Sequence, residues 1–276
     1  MRVIPSAKIT RVVSLLCVKA NLSLRKDILS LLKSAHKKEE NKKADSALEA
    51  IIRNATEAMR GKLAICQDTG LASVFVELGQ DVRVVGNLNA AIQKGVASGY
   101  KKGFLRSSVV KDPLARGKPG YGPAIIHVDL VKGSRLKLTV LPKGFGCENK
   151  ARLKMFLPTA GVEEIKRFIV ETVKGAGPDA CPPYVVGVGI GGTADYAMLL
   201  AKKALLRKHT AYSLQLKALE DDLLKEINKL NIGPMGLGGK NTVLAVKINT
   251  YPTHIAGLPV AVNISCHALR SAAEII

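Results

Sequence analysis

Three cysteines in this chain stand in company that suggests chemistry. Cys66 is followed by Gln67-Asp68-Thr69-Gly70, Cys181 by Pro182-Pro183, and Cys266 by His267-Ala268, and each lies beside an apolar segment. A thiolate is a nucleophile and a soft metal ligand. Pro182 and Pro183 fix φ and supply no N–H, so the backbone around Cys181 has little freedom. Three thiolates from distant loops can converge on one metal site. None of them forms a Cys-x-x-Cys pair, however, so spacing alone leaves open both a shared metal site and three separate core cysteines. Cys17 falls among the apolar positions of a helical pattern and reads as core.

Around these thiols lie groups suited to binding. Asp68-Thr69-Gly70 is turn chemistry, with the aspartate available to bond nearby N–H groups. The loop Pro142-Lys143-Gly144-Phe145-Gly146-Cys147-Glu148-Asn149-Lys150 carries glycines that let a backbone approach a ligand, and its N–H groups suit an anion. Gly189-Ile190-Gly191-Gly192 reads as a glycine-rich turn, with Thr193 as N-cap of the helix that follows. Among the histidines, His36 and His209 read as surface residues, while His127, in a strand, and His267 read as structural.

With 276 residues, 47% of them hydrophobic and 23% charged, the chain suits a globular protein with a full core. No apolar run is long enough to span a membrane. No signal-peptide pattern opens the chain, so a cytoplasmic location is expected. Five widely spaced cysteines argue for thiols rather than a disulfide framework. The net charge of +20 raises the question of nucleic acid. The lysines are dispersed over helical faces, aromatic residues are 4%, and tryptophan is absent, so stacking platforms are scarce. A lysine-rich solvated surface, an anionic substrate or an acidic partner fits better.

The elements that must position these residues follow from periodicity. Helices are expected over 7–22, 23–38 and from about 45 to 60, the last presenting Leu48, Ile51, Ile52, Ala55 and Met59. Further helices are expected at 88–99, 162–174, 194–206 and 212–230. Strands are expected at 72–78, 124–131, 136–141, 184–188, 242–248 and 258–264, with Lys132-Gly133-Ser134 as a turn. The class is α/β (mixed α+β): a helical segment of about 1–60, then an α/β part of about 61–276, together one domain.

Taken together, Ile65-Cys66-Gln67-Asp68-Thr69-Gly70, Lys143-Gly144-Phe145-Gly146-Cys147-Glu148-Asn149, Cys181-Pro182-Pro183 with the glycines of 187–192, Gly236-Leu237-Gly238-Gly239, and Pro252-Thr253-His254-Ile255-Ala256 with Cys266-His267 resemble the iron–sulfur hydro-lyases, which comprise class I fumarate hydratases and L-tartrate dehydratases. The resemblance runs from about residue 5 to the C-terminus. It implies a [4Fe–4S] cluster with Cys66, Cys181 and Cys266 as ligands and a fourth iron open to a small dicarboxylate substrate. It also implies substrate contacts from Gln67, Arg106, Gly144 and Gly146. Asp68 would transfer a proton or orient the hydroxyl, and His254 would donate to a carboxylate. Because the chain ends soon after its third ligand, it resembles the α subunit of a two-subunit form, completed by a β subunit in an (αβ)2 assembly, with no nucleic acid or membrane involved. Reversible hydration of fumarate to (S)-malate is the expected activity. Dehydration of L-tartrate to oxaloacetate is the near alternative, and a noncatalytic basic binding protein or a zinc-binding structural subunit the distant ones. Two departures stand out. Cys147 replaces the family's usual serine, placing a possible fourth thiolate near the cluster, and Ala115–Tyr121 lacks the expected acidic, asparagine-rich loop.

Overall fold

The computed structural model describes residues 1–208 and 213–276. His209 and the expected helix start at Tyr212 lie outside the described residues. In chain order the elements are β1 (Arg2–Pro5), α1 (Ser6–Leu22), α2 (Lys26–Lys38), α3 (Lys42–Gly61), β2 (Leu71–Gly79), β3 (Val82–Val85) and α4 (Leu88–Lys102). They continue with β4 (Ile125–Val131), β5 (Leu136–Lys143), α5 (Phe145–Glu148), β6 (Arg152–Phe156), α6 (Val162–Ala176) and β7 (Tyr184–Gly192). The last are α7 (Ala194–Ala204), α8 (Leu214–Asn228), β8 (Val243–Thr253), β9 (Leu258–Ser265) and β10 (Ala272–Ile275). This is the mixed α/β class expected. Four short strands, β1, β3, β6 and β10, are too brief or too exposed to show a period of two. Among the described residues no helix is long and apolar enough to cross a membrane.

The chain forms two compact units. The first comprises residues 1–25, 55–145 and 270–276. Its main sheet has the order β10-β5-β2-β4, with β2 parallel to β4 and antiparallel to β5. Thus β4 and β5, neighbours in sequence across Lys132-Gly133-Ser134, are not a hairpin: β2 lies between them. The apolar stripe of α1 (Ile9, Val12, Val13, Leu16) joins Ile92 and Val96 of α4 and Val74, Val76, Leu138 and Val140 of the sheet in one core. Cys17 belongs to that core, as expected, and burial pushes its thiol pKa up to about 12.

The second unit comprises residues 26–54 and 146–269, around a sheet of order β6-β9-β7-β8. Strand β7 is parallel to β8 and antiparallel to β9. Val186, Val188, Val262 and Ile264 face a core shared with Ile169 and Val173 of α6 and Leu223 and Ile227 of α8. On the opposite face lies α7. The glycines read as a turn, Gly189, Gly191 and Gly192, prove to be part of β7 itself, and Gly189, like Gly187 within the expected strand, has a steric reason. A Cβ at Gly187 would stand 2.2 Å from the Ala201 carbonyl oxygen, and one at Gly189 only 2.1 Å from that of Ala197. Glycine on the strand and alanine on the helix let α7 lie directly on the sheet. Thr193 does occupy the N-cap of α7, although its hydroxyl donates to Asp195 (2.6 Å) rather than capping a backbone N–H. Met59, expected on the apolar side of α3, is 58% exposed; Ala58 is buried in its stead.

Candidate functional site

The candidate residues fall into two groups, one in each unit. In the first unit, Cys66 sits on the loop that connects α3 to β2. Gly70 ends this loop with φ of 72°, and a Cβ there would press 2.8 Å from the Lys143 backbone, so only glycine lets the loop seat on β5. Asp68 organises the turn. One carboxylate oxygen accepts the Gly70 N–H (3.0 Å) and the other accepts the Phe145 N–H (2.9 Å). Gly144 leaves room for that carboxylate, since a Cβ would stand 3.0 Å from Asp68 Oδ2. The N–H of Phe145, expected to be offered to an anion, is therefore used by Asp68 itself. The Cys66 thiol donates to Gln67 Oε1 at 3.5 Å, and Gln67 is exposed.

Arg106 joins this group through the main chain. Its N–H donates to Thr69 Oγ1 (3.0 Å), which fixes the Arg106 backbone beside the Cys66 loop and leaves its side chain exposed. A narrow cleft is lined there by Gly70, Tyr100, Arg106, Ser108 and Tyr121. Tyr121 ends the segment that departs from the family pattern, so that segment does border the cleft.

In the second unit, Cys181 and Cys266 share one end of the sheet, and register explains why. Val185 near the start of β7 pairs with Ser265 at the end of β9, so the residues just before one strand and just after the other are neighbours. The His267 N–H donates to the Cys181 carbonyl (3.3 Å), and the Met235 N–H to that of Pro182 (2.9 Å). Cys181 has φ of 58°, a left-handed conformation that costs a non-glycine residue about 1–3 kcal/mol and tends to gather at functional sites. Cys147 lies close by but is buried, its thiol donating to the Ala180 carbonyl (3.3 Å). Gly146 is exposed, and a Cβ there would meet nothing within 4 Å, so packing within the chain does not demand a glycine.

His254 is placed elsewhere. It follows Thr253 at the far end of β8, where Thr253 pairs with Gly192. Seven residues of β7 separate that end from the pairing of Val185 with Ser265, roughly 20–25 Å of extended chain. The imidazole is exposed, and its Nδ1 accepts the Ala256 N–H (3.1 Å). Within this unit, His254 is not brought together with Cys181 and Cys266.

Several residues that support these loops were not singled out by sequence reasoning. Glu148 splits its carboxylate between the Lys202 ammonium and the Asn263 side-chain amide (3.1 Å), tying α5 to α7 and β9. Arg270 is a buried cation that donates to the Asp68 carbonyl, and Tyr100 of α4 donates a buried hydroxyl to the same loop. Asn263 had a readable signal, a lone polar residue inside the apolar run Val260–Ile264. Arg270 had only its position four residues after Cys266.

None of the five cysteines is in a disulfide, and the three expected ligands are the three partly exposed ones; Cys17 and Cys147 are buried. Such a donor set fits an iron–sulfur cluster, which takes thiolates. Within either unit, among the described residues, no three His, Cys, Asp or Glu side chains are grouped to hold a metal ion. The expected ligand set draws on both units.

A family model described as fumarate hydratase (Fumerase) matches residues 10–274. The chain is 40% identical over 275 residues to a putative L(+)-tartrate dehydratase subunit alpha of Methanocaldococcus jannaschii, covering 96% of each chain. It is 30% identical over 269 residues to the L(+)-tartrate dehydratase subunit alpha of Escherichia coli strain UTI89, covering 95% of this chain and 89% of that one.

Proposed function

This chain belongs to the fumarate hydratase (Fumerase) family, a family of hydro-lyases, and from that premise we propose that it is the α subunit of a [4Fe–4S] enzyme that reversibly hydrates fumarate to (S)-malate. The observation that carries this reading is the division of the thiols. Cys66, Cys181 and Cys266 are the partly exposed cysteines, each in a loop anchored by hydrogen bonds, and they are the proposed ligands. When bound, the cluster would supply Lewis-acid polarisation of the substrate hydroxyl through an iron without a protein ligand.

The remaining work falls to side chains of this chain and of a β subunit. Arg106, with an exposed guanidinium and an anchored backbone, would take a substrate carboxylate in a forked contact. Gln67, exposed beside Cys66, would donate its amide to the same substrate, and Gly146 would offer unobstructed backbone. Asp68 keeps further lone pairs on a carboxylate already fixed by two N–H groups, which suits orienting the hydroxyl or moving its proton. Gly144 would act chiefly by admitting Asp68. His254 would serve the site of a second copy in an (αβ)2 assembly, because its own sheet holds it far from Cys181 and Cys266. A cluster of this kind and cysteines outside any disulfide suit the reducing cytoplasm.

L-Tartrate dehydration is the second reading, favoured by the names of the relatives. Anaerobic co-purification with the β subunit, followed by iron and sulfide analysis and parallel turnover of fumarate and L-tartrate, tests both. Expected are about four irons per α subunit, malate formation, and loss of both in Cys181→Ala. Turnover of tartrate alone would select the second reading. Absence of iron from anaerobic protein would overturn the iron–sulfur assignment.

A further inference from the structure

In the first unit the partly exposed arch Cys66-Gln67-Asp68 is pinned at both ends by buried groups that the proposed chemistry leaves unused. At its start, the Ile65 N–H donates to the Asn21 carbonyl (3.0 Å). At its end, Arg270 Nη2 donates to the Asp68 carbonyl, and Arg270 Nε donates to Asn21 Oδ1 (3.2 Å). Asn21 is itself fixed by donating from Nδ2 to the Cys17 carbonyl (3.0 Å). The Tyr100 hydroxyl lies 2.9 Å from the Thr69 carbonyl oxygen and 3.1 Å from that of Gly70. Asn21, Arg270 and Tyr100 are between 1% and 3% exposed.

Burying a guanidinium is costly unless its donors are used. Here one donor is used on the loop, at the Asp68 carbonyl, and another on Asn21 of α1, whose own carbonyl holds the start of the loop, so the segment held between them carries the thiol and carboxylate of the candidate site. We propose that Arg270 is a positioning residue. By tying the Asp68 carbonyl to Asn21, and so to Ile65, it sets the arch in a single conformation that presents Cys66 as a ligand and Asp68 as an oriented carboxylate. This inference rests on the assignment of that arch to the cluster and substrate. Arg270 touches neither and acts through the loop. Lysine cannot reproduce the fork, because it lacks two donors held in one plane.

The test uses the full chain with its β subunit, as Arg270→Met, Arg270→Lys and Tyr100→Phe. In cluster-free protein, iodoacetamide labelling followed by peptide mass spectrometry gives the rate at Cys66 relative to Cys181. Arg270→Met should raise that ratio about fivefold or more, with Arg270→Lys intermediate and Tyr100→Phe smaller in the same direction. In reconstituted protein Arg270→Met should lose iron faster on exposure to air and lower kcat per cluster about tenfold with KM within about twofold. A purely structural arginine would lower Tm and leave the Cys66 to Cys181 ratio unchanged. A ratio within twofold of wild type in Arg270→Met, or in Tyr100→Phe if Arg270→Met does not fold, overturns the proposal. Wild-type protein that takes up no iron and hydrates nothing would overturn the enzyme reading instead, and the labelling ratio would still decide whether Arg270 holds the arch.

Discussion

In the first unit the Cys66 loop is gripped by side chains: the Asp68 carboxylate, the Arg270 guanidinium, Asn21 and the Tyr100 hydroxyl. In the second, Cys181 and Cys266 are neighbours because β7 and β9 pair in a given register, and the bonds at the corner run from the main chains of His267 and Met235. The contrast separates two ways of fixing a candidate ligand. A side-chain clamp fails gradually as its members are replaced. A register-built corner tolerates changes in most nearby side chains but depends on anything that lets the strands and their covering helix pack.

The largest expected effect follows from that dependence. At Gly189 a Cβ would stand 2.1 Å from the Ala197 oxygen, 2.7 Å from the Ala201 nitrogen and 2.8 Å from the Leu200 Cβ. Backbone atoms cannot give way as a flexible side chain would, so α7 must lift from the sheet. Gly189→Ala should cost about 3 kcal/mol and Gly189→Val more, lowering Tm by roughly 10 °C or preventing soluble expression. Thermal unfolding of the two variants measures it. A neutral Gly189→Ala would break the comparison, because it would show that the corner does not rely on close seating of α7.

How much of this was legible beforehand follows the same division. The main helices were readable because their apolar stripes repeat at 3.6 residues, and β2, β5, β7 and β9 because they are buried runs. The neighbours of Cys66, Cys181 and Cys266 set these three apart in the sequence, and in the structure they are the partly exposed cysteines. What could not be read was anything that depends on which strand lies beside which. Lys132-Gly133-Ser134 has the composition of a hairpin turn, yet β2 intervenes. Gly189 looks like the start of a turn in one dimension; in three it joins Gly187 as a floor for α7. Gly144 looks equally permissive, and what it admits is the Asp68 carboxylate. His254 lies only twelve residues from Cys266, but β9, which runs the length of the sheet between them, leaves the two at opposite ends. Arg270 has no local pattern, because its partners lie about two hundred residues away.

The position of His254 gives the next largest effect and sharpens the comparison into a statement about assembly. If His254 serves a second copy, Cys181→Ala and His254→Ala should each be inactive alone, and co-expressing both chains should restore activity. Random pairing makes half the assemblies mixed. Each mixed assembly contains one intact site of two, assembled from Cys181 of one chain and His254 of the other. The recovered rate should be about one quarter of wild type, as two-fold symmetry requires. Turnover of complexes purified through different tags on the two chains measures it. No recovery would return His254 to its own chain or remove it from the site.

The smallest effect is expected at the two buried cysteines, and it tests whether exposure distinguishes ligand from core. Cys147 lies beside the Cys181 corner, with its thiol turned onto the Ala180 carbonyl rather than outward. Cys147→Ser would place a hydroxyl on the same acceptor, so iron content, turnover and Tm should stay close to wild type, with a stability change of about 1 kcal/mol or less. The same logic predicts thiol reactivity. In cluster-free protein at pH 8, Cys66, Cys181 and Cys266 should alkylate while Cys147 and Cys17 remain protected. For Cys17, burial adds a second barrier: with a pKa pushed up to about 12, its thiol stays protonated throughout the neutral range and supplies almost no thiolate. Mass spectrometry of the labelled peptides gives all five rates in one experiment. If Cys147 reacted as fast as Cys181, the thiol would have to leave the Ala180 carbonyl readily, and a fourth thiolate would then be available to occupy the iron that the proposed chemistry needs open.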